Sequence, residues 1–281
     1  MRESRAFYAQ YLSVSLIAVI LSVLVASASE TYFSTDFLSY FKVTGNIFLT
    51  SVAAGFIGAV ASLAIHRYAS KRVSVGVRLA FVGALMPVLL ITTVVIGQVF
   101  ISALALGNEG TILSVFLILG SVYFTTFFSI MLVADAVSRQ VKNVFFLAYA
   151  SMFGGLAAVI LPMMALLVIV GTASTFELFL IFDRGYYRAH RSQLEGGEGE
   201  LLRFSYSTKK MRVGMGDFVF YSMLPASALV NIGPGVSMLV SGLVVSGVVL
   251  NLYLLRNRNL VSGLLFPSLL GLLPLVVKLA V

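Results

Sequence analysis

The chain has 281 residues, of which 59% are hydrophobic and only 11% charged. Water-soluble domains carry roughly 25% charged residues, so an ordinary globular surface is excluded. The net charge of +8 resides in short segments between apolar runs, which points to orientation in a lipid bilayer and not to nucleic-acid binding.

A helix that crosses a hydrocarbon core of about 30 Å needs about 20 apolar residues. The N-terminal Met1-Arg-Glu-Ser-Arg5 precedes an apolar run too long for a signal-peptide core, with no small-residue cleavage site. It is therefore expected to lead into a retained first span over 11–29. Further spans are predicted at 44–65, 77–106, 111–135, 144–160, 162–182, 213–230, 234–255 and 260–280. Two of these boundaries follow from length. The apolar run from Val144 to Phe182 would measure about 58 Å as one helix, twice the core, so it must hinge near Pro162. The run from Val213 to Leu255 divides at Asn231-Ile-Gly-Pro234, where Gly and Pro stop a helix. The predicted fold is an all-α membrane protein of nine transmembrane helices.

Charge supports that count. With the N-terminus cytoplasmic, the inside segments and Arg78 hold 17 of the 19 Lys and Arg residues, leaving Lys42 and Lys278 outside. Glu30, Asp36 and Glu109 fall on the exterior, as does the C-terminus. A multi-pass protein of the cell membrane with basic loops inside is the expectation. The longest connection, 183–212, carries the Glu195-Gly-Gly-Glu-Gly-Glu200 run and then Leu202, Phe204 and Tyr206 alternating with Arg203, Ser205 and Ser207. The alternation is a weak strand signal. Small residues at Ser237/Ser241, Gly242/Ser246 and Gly55/Gly58 have the spacing that lets helices approach closely.

No cysteine is present, which excludes disulfides and thiolate chemistry. His66 and His190 lie in basic loops without metal-ligand spacing, so neither metal nor cofactor is expected. Among the acidic residues, Asp135 and Asp183 sit at span ends near Arg139 and Arg184 and read as interfacial. Two others lie within spans. Glu177 falls late in the sixth, in Thr175-Phe-Glu-Leu-Phe-Leu-Ile-Phe182, and Asp217 falls at the start of the seventh, in Gly214-Met-Gly-Asp217. An ionisable group in a span costs roughly 2.5–3.5 kcal/mol on insertion scales, so it normally faces a cavity or a partner. Both sit toward the cytoplasmic ends of successive antiparallel helices and can meet at one depth. Two touching carboxylates resist double ionisation, so one keeps a proton while the other activates water. Two plainer readings stand beside this one: Asp217 as a helix N-cap, and Glu177 as a proton-relay or ion-coupling residue.

Gly214-Met-Gly-Asp217 followed by Phe-Val-Phe-Tyr-Ser-Met-Leu224 resembles the GxGD signature of the presenilin and signal peptide peptidase family, and is closest to presenilins. Phe266-Pro-Ser-Leu269, in the last span, is similar to the family's Pro-Ala-Leu motif. The resemblance is carried by motifs over 162–281 and by topology alone before that. It implies a five-helix scaffold over 1–160 and a catalytic four-helix part over 161–281, with Asp217 and Glu177 as the catalytic pair of an intramembrane aspartyl protease. Gly214, Met215, Gly216, Pro267, Ser268 and Leu269 would shape the substrate site. Phe204, within 202–206, would help an unwound transmembrane peptide add as a strand. Two positions depart from the family. Phe176-Glu177 stands where the family has Tyr-Asp, fifteen residues after Pro162, and Ser268 replaces Ala. The added methylene of Glu displaces the carboxyl by about 1 Å, the scale of catalytic positional tolerance. The competing readings are a catalytically silent relative that binds transmembrane helices, and an ion or solute carrier that uses the same acids for coupling. Partners are the bilayer and transmembrane peptides, with no nucleic acid.

Overall fold

The computed structural model describes residues 2–32, 75–104, 107–134, 136–182, 205–207, 212–255 and 263–280. Those residues are almost wholly helical. In chain order they form α1 (Arg2–Tyr32), α2 (Val75–Ala103), α3 (Gly107–Val133), α4 (Arg139–Ile160), α5 (Met163–Phe182), β1 (Ser205–Ser207), β2 (Arg212–Gly214), α6 (Met215–Asn231), α7 (Pro234–Leu255) and α8 (Leu265–Ala280). Five stretches are long and apolar enough to cross a membrane: Ala9–Glu30, Leu85–Ala103, Glu109–Leu132, Arg139–Ile160 and Pro234–Leu254. Shorter apolar helices run over Met163–Leu178 and Leu265–Leu279. The protein is an all-α membrane protein. The predicted span at 44–65 lies outside the described residues, as do His66, His190, Asp135, Asp183 and most of the loop 183–212.

Helix boundaries fall where local chemistry requires them. Leu161, before Pro162, takes an extended conformation (φ −84°, ψ 134°), because a following proline ring excludes the helical region. Its N–H still closes α4 by donating to the Ala157 carbonyl at 2.8 Å. At the other predicted hinge, the N–H groups of Ile232 and Gly233 both donate to the Ala228 carbonyl, and Gly233 adopts φ +130°. That left-handed region suits a residue without Cβ. Pro234 then opens α7, where its missing N–H costs nothing.

The bundle is held by close backbone approaches. A Cβ on Gly154 would lie 2.6 Å from the Val219 carbonyl oxygen of α6, and one on Gly155 would lie 2.7 Å from that of Ser22 in α1. Two adjacent glycines thus seat α4 against both neighbours, the small-residue packing that substitutes for hydrophobic drive within lipid. Gly247 of α7 meets the backbone of Pro267 in α8 in the same manner. These contacts differ from those expected at Gly242 and Ser246, which are exposed, with nothing within 4 Å of a Cβ on Gly242. Spacing of small residues identifies a smooth helix face but not whether that face meets a neighbour. Gly55 and Gly58 lie outside the described residues.

One core runs from Tyr11, Val14 and Ala18 of α1 through Ala150 and Ala157 of α4 to Phe218, Tyr221 and Leu224 of α6 and Val240 to Leu252 of α7, continuous across residue 160. A second joins α2, α3 and α4 around Phe128, Phe145 and Phe146. There the rings of Phe128 and Phe145 stack at 3.8 Å and those of Phe145 and Tyr149 at 4.3 Å. Several buried hydroxyls bond within their own helix: Ser15, Ser151 and Thr125 each donate to the carbonyl four residues earlier. Large apolar side chains such as Ile17, Leu24, Phe116, Tyr123 and Met238 point outward. In water that surface would drive aggregation; against lipid tails it is matched.

Candidate active site

Asp217 is placed by the junction of the hairpin with α6. Strand β1 pairs antiparallel with β2 in the register Ser205↔Gly214, Tyr206↔Val213 and Ser207↔Arg212. Of the predicted strand signal over 202–207, Ser205–Ser207 form β1 and pair within the chain, while Leu202, Arg203 and Phe204 lie outside the described residues. Gly214 ends β2 and, still extended at φ −63° and ψ 144°, caps α6. Asp217 is the third helical residue and reaches back to the Gly214 amide, as the acidic third residue of a capping box does. Reading Asp217 itself as the N-cap is therefore corrected: the cap is Gly214, and the acid lies inside the first turn, where the helix dipole favours it. The Tyr206 ring meets Phe218 edge-on at 5.9 Å, and Phe218 meets Tyr221 likewise at 6.4 Å, docking the hairpin on the helix start.

Glu177 comes from α5 and reaches a different helix. Its Oε2 accepts the N–H of Leu264 at 3.1 Å, and the Leu265 amide also bonds its carboxylate. These are leading amides of α8, donors with no intrahelical partner. One turn earlier, Ser174 Oγ lies 2.5 Å from Ser268 Oγ, and both hydroxyls also bond carbonyls of their own helices. A single face of α5 therefore holds the start of α8 at two points.

The two acids converge on one peptide group. A Cβ on Gly263 would fall 2.5 Å from Asp217 Oδ2, so the Gly263 Cα lies directly against that carboxylate. The next residue, Leu264, donates to Glu177. Both side chains are half-buried and within electrostatic reach of each other and of Tyr11. On its opposite edge the same peptide is bonded twice: Tyr221 Oη and Asn251 Nδ2 donate to the Gly263 carbonyl, the latter at 2.6 Å. The Tyr221 hydroxyl lies 3.5 Å from that of Tyr11.

Other residues expected at the site are placed as follows. Pro267 is buried against Gly247, and Ser268 is buried and bonded to Ser174 and Leu264, so both seat α8. Leu269 is exposed, as are Gly214 and Gly216, and Met215 is half-buried between the two cores. Among the described residues, no three His, Asp or Glu side chains gather where they could hold a metal ion. Gly263, Tyr221 and Asn251 were not anticipated. Asn251 had a signal, since it is the sole amide side chain in the predicted span 234–255, and polar groups in spans are costly. Gly263 had none. No protein-family model matches the chain, and no match is found among curated proteins.

Proposed function

We propose that the chain is an intramembrane aspartyl protease that hydrolyses peptide bonds of transmembrane substrates through Asp217 and Glu177. The observation that carries the reading is the convergence of the two carboxylates on the Gly263–Leu264 peptide, at the head of the helix bearing Pro267-Ser-Leu269. Paired acids at one point can share a proton, and the pair then titrates as a unit. The ionised member takes a proton from water as the water oxygen bonds to the scissile carbonyl carbon. The protonated member gives its proton to the carbonyl oxygen. Collapse of the tetrahedral intermediate breaks the C–N bond, with a proton passing to the leaving amine. On this reading the chain has nine spans, its N-terminus is cytoplasmic and the pair lies near the cytoplasmic face, in accord with the distribution of basic residues.

One observation favours a second reading, a silent relative that binds transmembrane helices. Glu177 accepts from two amides at the start of α8, which is a structural cap and occupies the carboxylate. Cleavage of a labelled transmembrane peptide by purified protein in liposomes decides between them. Activity in the wild type, absent in Asp217→Asn and blocked by a hydroxyl-bearing transition-state mimic, supports the protease. No cleavage by the wild type, with activity gained in Glu177→Asp, supports the silent relative. Proton-coupled solute uptake by the same liposomes overturns both in favour of a carrier.

A further inference from the structure

We propose that Tyr221 and Asn251 are positioning residues that orient the Gly263–Leu264 peptide between the two acids; the catalytic consequence rests on the protease reading, and the orientation itself does not. A trans peptide is a rigid plane with its C=O and N–H on opposite edges. Donors from α6 and α7 grip the oxygen edge, Tyr221 Oη and Asn251 Nδ2 at 2.6 Å. The other edge is thereby aimed at Glu177 Oε2, 3.1 Å from Leu264 N. The Gly263 Cα, beside the same plane, is set against Asp217. Freeing the oxygen lets the plane turn, which carries the N–H away from Glu177 and alters the spacing of the carboxylates. The clamp therefore acts on the pair through the peptide.

Asn251 also carries a cost that helix packing does not explain. Its Nδ2 serves Gly263, but its Oδ1 is buried with no hydrogen-bond partner among the described residues, in a side chain 1% exposed. An orphaned buried acceptor is unfavourable, and an apolar side chain of similar volume removes the penalty. A residue kept only for stability at this place would be leucine. The amide is the group that supplies a second donor to the Gly263 oxygen, since Tyr221 can supply one. Tyr221 is itself fully buried, with its hydroxyl beside that of Tyr11, so its donor is held in place by the core.

The test uses the full-length protein in nanodiscs and the variants Tyr221→Phe, Asn251→Leu and the pair combined. Amide hydrogen exchange is read at Leu264 and Leu265, with the interior of α6 and α7 as the reference, together with the melting temperature. The double variant is expected to exchange about tenfold faster at those two amides, with protection in α6 and α7 and the melting temperature retained. With a transmembrane peptide substrate, kcat is expected to fall about tenfold while KM stays within about twofold. Unchanged exchange at Leu264 and Leu265 in the double variant overturns the clamp. So does equal loosening of α6 and α7, in the single Tyr221→Phe variant as well as in the double, because that is the signature of a purely structural role. A wild type that cleaves nothing removes the protease reading, and the exchange result then decides the clamp alone.

Discussion

The carboxylate at position 217 is tethered to the amide of the residue that caps its own helix, whereas that at 177 reaches across to amides at the start of another. Substitutions should therefore separate chemistry from folding at one position more cleanly than at the other. Asp217→Asn keeps an oxygen for the Gly214 amide, so its stability should change by less than about 1 kcal/mol while peptide cleavage falls to background. Thermal melts beside the cleavage assay test this, and a collapse of the fold would assign Asp217 a structural role. Glu177→Ala removes the acceptor for the start of α8, leaving buried donors unpaired at a cost of about 1–3 kcal/mol. It should lower the melting temperature as well as activity. At Gly263 the constraint is steric. An added methyl would meet Asp217 Oδ2 at 2.5 Å, so Gly263→Ala should cut cleavage at least about tenfold by displacing the acid, with the helices intact by circular dichroism.

Between elements, the tightest seams are backbone against backbone. A methyl on Gly154 would enter the Val219 carbonyl at 2.6 Å, and neither partner is a flexible side chain that could yield. Gly154→Ala should destabilise the bundle by about 1–3 kcal/mol, the usual cost of overpacking, read as earlier denaturation in detergent titrations. The same change at Gly242, which faces open space, should be neutral or stabilising. How much of this was legible in the sequence differs by kind. The breaks at Pro162 and at Asn231 to Pro234 were, because proline and glycine act on their own backbone. Gly154, Gly155 and Gly263 were not, because their role is set by which atoms arrive from distant segments. The acids themselves were legible as costly charges in apolar runs. Their shared partner was not, since Gly263 is held by Tyr221 and Asn251, donors that arrive from other helices.

For the whole molecule, the outward-facing Ile17, Leu24, Phe116 and Met238 invert the pattern of a water-soluble bundle, and buried serines and threonines line its interior. The orientation drawn from the basic residues makes a direct prediction, which the absence of native cysteine makes simple to check. In inside-in vesicles, an impermeant maleimide added outside should label Glu109→Cys, while Gln140→Cys should react only after permeabilisation. The reverse pattern would invert the topology and put the carboxylates near the outer face. Gly214 closes the hairpin and opens α6, and Asp217 follows within a single turn. A displacement of the two short strands therefore reaches the acid through three residues of chain.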